Sequence, residues 1–345
     1  MFGNSDRSHS LQFLKRFGFA LFTGALISSC ANGNSGSSGP ASTSTSSQQN
    51  VALTACQVTM QSQLAASEAT KMNWYTSHGS PTPLPAVQTQ IMFGTNSQTV
   101  VILHGFTSNP SAEADVASAL QKDGYTVLVP LLTGWGSDAN AANKSGVSDW
   151  LKAATDAIAI AQLCPNPVSL IGHSLGGALV TDIMVNNRAS GVVNVSLLAP
   201  ALETNVTSLL KPLLQTLLLT TDVIDMDTFQ TLTGIDPSTF IPKSPAGQPE
   251  PFMPLQALNT VIQYESVFDG ATTPDATVPA LLVLSDADPF IDDAFDISYV
   301  SSHFPSVDQL IYPLQDGIGH SFELKANNPY FSALVTRIEQ NLNTQ

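Results

Sequence analysis

The stretch Gly172-His173-Ser174-Leu175-Gly176-Gly177 constrains this chain more than any other, because of what flanks it. An apolar run, Val168–Ile171, precedes it and a helix-prone stretch, Ala178–Asn187, follows. Strand, tight turn with a serine between glycines, then helix is an arrangement that holds the serine at strained backbone angles. Strand and helix pass so close there that the flanking positions have no room for a Cβ, a need that Gly172 and Gly176 meet. The turn exposes Ser174 Oγ and aims the first N–H groups of the helix at the space in front of it, where a helix N-terminus favours negative charge. The pattern predicts a nucleophilic serine at the carboxyl end of a buried strand.

A serine hydroxyl is a weak nucleophile; it needs a base, and the base needs an orienting acid. After a turn of this kind the expected order is serine, acid, histidine, the last two each leaving a later strand. Ala280–Leu284 reads as a buried strand, and Ser285–Ile291, carrying Asp286 and Asp288, leaves it. Gln309–Tyr312 reads as the next strand, and Asp316–His320 leaves that one. Six histidines compete for the role of base. His9 lies in an N-terminal leader and His78 in a polar stretch before the first strands. His173 sits on the turn with its side chain expected to point away from Ser174. His303 falls in a helical pattern, Asp293–His303, where an exposed or capping role is expected. His320 is the candidate base. Asp288 is the candidate acid, with Asp286 in reserve; Asp292 and Asp293 suit the start of the following helix. Upstream, Thr99–Leu103 reads as a strand leading into His104-Gly105-Phe106-Thr107. The oxyanion of an acyl-transfer intermediate needs two fixed N–H donors. The sequence offers those of Leu175, which follows the nucleophile, and Phe106, which follows Gly105.

These motifs make the chain resemble serine hydrolases of the α/β-hydrolase superfamily, in particular bacterial carboxylesterases and monoacylglycerol lipases. Those families show H-G-F or H-G-x after the third strand, G-x-S-x-G, a loop G-x-x-D-x-x-V and a terminal G-H. Here they read His104–Phe106, Gly172–Gly176, Ser285–Ile291 and Gly319–His320. Aligning Ser285 with the family glycine puts the family aspartate on Asp288 rather than Asp286. The resemblance spans roughly residues 85–342. It implies an α/β-hydrolase fold and a Ser174–Asp288–His320 triad cleaving acyl esters. Many monoacylglycerol lipases carry G-H-G-x-S after the fourth strand, whereas this chain has Gly134-Trp135-Gly136-Ser137. That departure bears on the substrate rather than on the hydrolytic chemistry.

Residues 1–29 read as a lipoprotein signal: Lys15 and Arg16 precede an apolar run, Phe17–Ile27, too short to span a bilayer. Ile27-Ser28-Ser29-Cys30 resembles the bacterial lipobox, which implies a lipid-modified Cys30 as the mature N-terminus and membrane attachment through it. Residues 30–50 are dominated by Ser, Thr, Gly, Asn and Gln and read as a flexible tether. Export as a lipoprotein, with Ala31 compatible with outer-membrane delivery or a periplasm-facing position, follows from that resemblance. Cys56 and Cys164 are then left as a pair in an oxidising compartment and are expected to form a disulfide. The formal net charge of −15 becomes −17 once residues 1–29 leave with three positive charges and one negative one. Such an acidic chain is a poor partner for nucleic acid or anionic lipid. It carries no H-E-x-x-H, P-loop or dinucleotide fingerprint, so no cofactor or metal is expected.

From about residue 51 to 345 strands and helices alternate, which predicts an α/β domain with a mostly parallel sheet and helices on both faces. The rhythm breaks at about 203–279, far longer than a simple crossover needs. This stretch reads as a cap insertion above the serine, and its leucine-rich start, Ser208–Thr220, as a helix lining an acyl pocket. The same machinery serves an acyltransferase, an amidase or a peptidase, and a non-catalytic surface binding module is the alternative outside enzymes.

Overall fold

The computed structural model describes residues 53–205, 207–236, 252–269 and 276–344, all within the unit formed by Ala52–Gln345. The expected signal, Cys30 and tether lie outside the described residues. In chain order the elements are α1 (Ala55–Ser77), β1 (Gln90–Met92), β2 (Thr99–Leu103), α2 (Ala114–Lys122), β3 (Thr126–Val129), α3 (Ala139–Lys144), α4 (Val147–Ala161), β4 (Val168–His173), α5 (Leu175–Val185) and β5 (Val192–Leu198). They continue with α6 (Thr207–Leu217), β6 (Val223–Asp225), α7 (Met226–Thr233), β7 (Phe252–Pro254), α8 (Leu255–Tyr264), β8 (Ala280–Ser285), α9 (Asp293–His303), β9 (Val307–Tyr312) and α10 (Phe331–Leu342).

The main sheet has the strand order β1-β3-β2-β4-β5-β8-β9, with only β1 antiparallel to its neighbour. Residues Thr99–Leu103, Val168–His173 and Ala280–Ser285 are buried at every position, as parallel strands covered on both faces must be. One helical layer joins α2 and α10, which rest on β3, β5 and β8; another joins α5, α4 and α1 over β2 and β4. Parallel pairing puts the carboxyl ends level: Leu103 lies beside Gly172, His173 beside Leu198, and Ser285 beside Tyr312. The loops that leave these strands therefore meet at one edge, which is where such sheets carry their chemistry.

Helix α1 is not apparent from hydrophobic periodicity. Its polar sequence buries only Met60, Leu64, Lys71 and Tyr75, and a capping box closes its start, Thr54 and Gln57 each bonding the other's backbone N–H. Cys56 at its first turn is joined by a disulfide to Cys164, just past α4.

Between β5 and β8 the chain builds its own small cluster of Leu210, Leu214, Ile224, Phe229, Met253, Leu255 and Ile262, over an antiparallel pair of β6 and β7. The expected helix over Ser208–Thr220 is shorter than its leucines suggest. It ends at Leu217, and Leu219 beyond it is 84% exposed where the chain turns toward β6. His303 is buried rather than exposed, because α9 packs on β8, and takes the capping role that was the other expectation. Its Nδ1 lies 2.8 Å from the Tyr299 carbonyl in the last turn, and its ring stacks on Tyr299.

Candidate active site

Ser174 stands between β4 and α5 with φ 54° and ψ −118°, the strained conformation expected of this turn. Its N–H donates to Leu198 O at 2.9 Å, and its carbonyl accepts from Ala201 N at 3.0 Å, so the next strand's exit clamps the turn from both sides. A Cβ on Gly172 would come within 2.3 Å of Gly176 O, and one on Gly176 within 2.1 Å of Leu103 O. Both contacts are with backbone, which cannot swing away. Leu175 opens α5, so its N–H has no carbonyl a turn earlier to bond.

Asp288 and His320 meet behind this turn. His320 Nδ1 lies 2.6 Å from Asp288 Oδ2, while Asp288 Oδ1 accepts from Phe290 N at 2.9 Å. Both side chains are buried. Burial pushes the Asp288 carboxyl up, but the charge of His320 and the hydrogen bonds from His320 and Phe290 N outweigh it and hold the group below the usual range. Asp286, two residues earlier, is exposed, its N–H donating to Tyr312 O. Asp292 caps α9 by accepting from Phe295 N. The structure brings Asp288, and not Asp286, to His320.

The loop after β2 passes over the elbow. His104 accepts at Nε2 from Leu132 N (3.1 Å), so its Nδ1–H donates to Gly105 O (2.9 Å). Burial drops its pKa to about 4, keeping it neutral. Thr107, at φ 53°, bends the chain next to Phe106. The Phe106 ring meets the Trp135 ring of Gly134-Trp135-Gly136 edge-on at 5.0 Å.

Ser174, His320, Phe106 and Leu175 line one pocket of about 620 Å³, part of it open to solvent. Most of its remaining wall is apolar and comes from elements between β5 and β8: Leu210, Phe229, Met253, Leu258, Val261 and Ile262. Phe290 and Ile291 complete it from the loop that carries Asp288. Of the leucines expected to line an acyl pocket, Leu210 does so; Leu214 is buried in the small cluster instead. Sequence periodicity could not rank these leucines, since both lie on one helix face.

His173 does point away from Ser174, yet not into ordinary core. Its Nε2 lies 3.1 Å from His320 O and 3.3 Å from Glu323 Oε2, and its Nδ1 lies 4.0 Å from Glu113 Oε1. Burial lowers the His173 pKa to about 3 and raises that of Glu113 to about 8; Glu323 is raised by burial and by Glu113. Among the described residues these three form the group whose ligand atoms lie close enough, within 4.8 Å, to hold a cation. Sequence reasoning missed Glu113 and Glu323 because neither belongs to a motif.

Residues 100–322 match the alpha/beta hydrolase family. Over 81 residues the chain is 32% identical to a thermostable monoacylglycerol lipase of Bacillus sp. (strain H-257), which is 23% of this chain and 32% of that protein's length. A soluble variant of monoglyceride lipase from Saccharomyces cerevisiae superposes with TM-score 0.59 at 15% identity, over 74% of this chain and 90% of that one. The monoacylglycerol lipase of Paleococcus ferrophilus gives 0.55 at 17%, over 73% and 96%. Likeness at these identities is likeness of fold. Sheet order, strained elbow and family match over most of the unit agree: the chain belongs to the alpha/beta hydrolase family.

Proposed function

We propose that the protein hydrolyses carboxylic acyl esters through an acyl-enzyme on Ser174. The observation that carries this reading is the shared pocket: an elbow serine and a histidine line one apolar cavity, with a carboxylate 2.6 Å behind the histidine. Because His320 Nδ1 is engaged by Asp288, Nε2 is the nitrogen left to take the Ser174 proton as Oγ attacks the ester carbonyl. The oxyanion that forms is held by the N–H groups of Leu175 and Phe106. Collapse breaks the bond to the alcohol, which leaves with the proton from His320. Water then attacks the acyl-enzyme, His320 takes one of its protons, and Ser174 is released with the free acid. Asp288 keeps the imidazole in the productive tautomer and stabilises the imidazolium. The pocket's leucine, methionine and phenylalanine side chains suit the acyl part of the substrate. The relatives' names, lipases acting on monoacylglycerols, support an ester over an amide. The lipobox-like Ile27–Cys30 supports a lipid-anchored enzyme of the bacterial envelope.

A fluorophosphonate tests this directly. Wild type should be labelled once and should turn over p-nitrophenyl esters, whereas Ser174→Ala should lose the label and at least roughly a thousandfold in kcat with its fold intact. Retained turnover in Ser174→Ala would refute the assignment.

A further inference from the structure

His173 is the last residue of β4, so the sheet fixes its backbone, and its side chain is buried. Three chain segments converge on its ring. Gly105 lies above it, where a Cβ would sit 3.3 Å from Nδ1 and 3.1 Å from Ser174 Cβ. Glu113 comes from the short turn before α2, at the foot of the same loop, and Glu323 follows His320 by three residues. The His320 ring is 5.0 Å away. No strand ladder holds His320. Its loop is tied by Ser285 Oγ to Ile318 O and by Asn327 and Asn328 to Ser321 O and Phe322 O, but the carbonyl of His320 itself is held by His173 Nε2.

We propose that His173 is a positioning residue for the hydrolytic machinery, a neutral imidazole whose Nε2–H holds the His320 main chain between two buried acids. The proposal rests on the hydrolase reading above and deepens it. Donation to a carbonyl requires a proton on Nε2 and leaves Nδ1 bare. Neutrality matters as much as the bond. An imidazolium forms on His320 during the reaction, and a second cation 5.0 Å away would oppose it. The groups facing His173 are Glu113, Glu323, His320, Asp288 and His104. Of these acids, Asp288 alone is held below its usual range; burial pushes Glu113 up to about 8 and Glu323 well above the usual carboxylate range. Asp288 then meets no rival for the developing charge. The carboxyl oxygens of Glu113 and Glu323 have no hydrogen-bond partner, so the cluster is held by burial and shape rather than by a finished network.

Glutamine carries its amide nitrogen where imidazole carries Nε2, while the shorter asparagine cannot reach the His320 carbonyl. His173→Asn should therefore lower kcat on p-nitrophenyl butyrate by about 10- to 100-fold per fluorophosphonate-titrated site, with KM nearly unchanged. It should also shift the low-field proton resonance of His320 Nδ1–H. His173→Gln should restore kcat to within a few fold and return the resonance. Unchanged kcat and resonance in His173→Asn would overturn the proposal, reducing His173 to packing. So would stoichiometric zinc, manganese or iron in the purified protein that is lost in Glu113→Gln, which would make the cluster a cation site. Nitrogen-15 histidine spectra of wild type need no variant to fold. They should report His173 as the neutral Nε2–H tautomer from pH 5 to 8, and the Nδ1–H tautomer or a protonated ring in that range refutes the idea. Failure of the hydrolase reading itself would show separately, as wild type without labelling or turnover.

Discussion

Leu210 and Leu214 are one helical turn apart on α6, are 3% and 1% exposed, and belong to the same apolar cluster, yet only Leu210 borders the pocket. Cutting either to alanine should have different consequences. Leu214→Ala removes three buried carbons, worth about 2.4 kcal/mol of transfer free energy at about 0.8 kcal/mol each, plus a term for the closed cavity left behind. A total of about 3–4 kcal/mol is expected, with a fall in Tm of several degrees and no change in acyl preference. At Leu210 the space opens into the pocket, where a longer substrate can fill it. Each added methylene that finds apolar contact is worth about 0.8 kcal/mol, or about fourfold in kcat/KM. Two should raise the ratio of long to short esters by about 10- to 20-fold over wild type. The assay is kcat/KM on p-nitrophenyl esters of stepped length, with thermal melts of both variants. Equal melting losses and an unchanged ratio in both would refute the placement of the acyl group against α6.

Asp288→Asn should cost several orders of magnitude in kcat, because the amide cannot hold the imidazole tautomer, while Asp286→Asn stays near wild type; reversed results would move the acid by two residues. Glu113 holds its proton to about pH 8 when folded but loses it near the ordinary 4.5 when unfolded, so its contribution to stability fades as pH rises through that window. His173, depressed to about 3, acts oppositely and only below its ordinary 6.5. Between pH 6.5 and 8.5 the Tm of wild type should thus fall more steeply than that of Glu113→Gln, and parallel curves would count against the buried acid. Cys30→Ser should release active enzyme from the membrane fraction, since a diacylated cysteine is the anchor its sequence implies; unchanged partitioning would exclude the lipobox.

Motifs made the strand ends legible. Val168–Ile171, two residues short of the end of β4, and Asp293–His303 follow from an apolar run and an acidic helix start, and the elbow from two glycines with no room beside them. Helix α1 was hidden because its buried face amounts to four residues in twenty-three, too thin a stripe for a period to register. The surroundings of His173 were hidden for another reason. Glu113 and Glu323 lie in separate loops that only the folded sheet brings to one ring. The pocket wall was foreseen as a segment but not by residue, since which leucine of one face meets the cavity depends on how β6 and β7 seat α6.

The root of the insertion is stitched to the loop that carries Asp288. Asn205 N donates to Phe290 O, Thr204 bridges to Ile291, and Asp292 N donates to Glu203 O. Glu203–Asn205 thus share in aligning the acid, although Thr204 also touches the pocket and most of the insertion's pocket-lining residues come after them. Inheritance of substrate range and inheritance of chemistry part company just after Asn205, not at the end of β5. A chimera that imports a relative's insertion should be spliced beyond that point, so that new specificity arrives on a scaffold whose acid loop has never been disturbed.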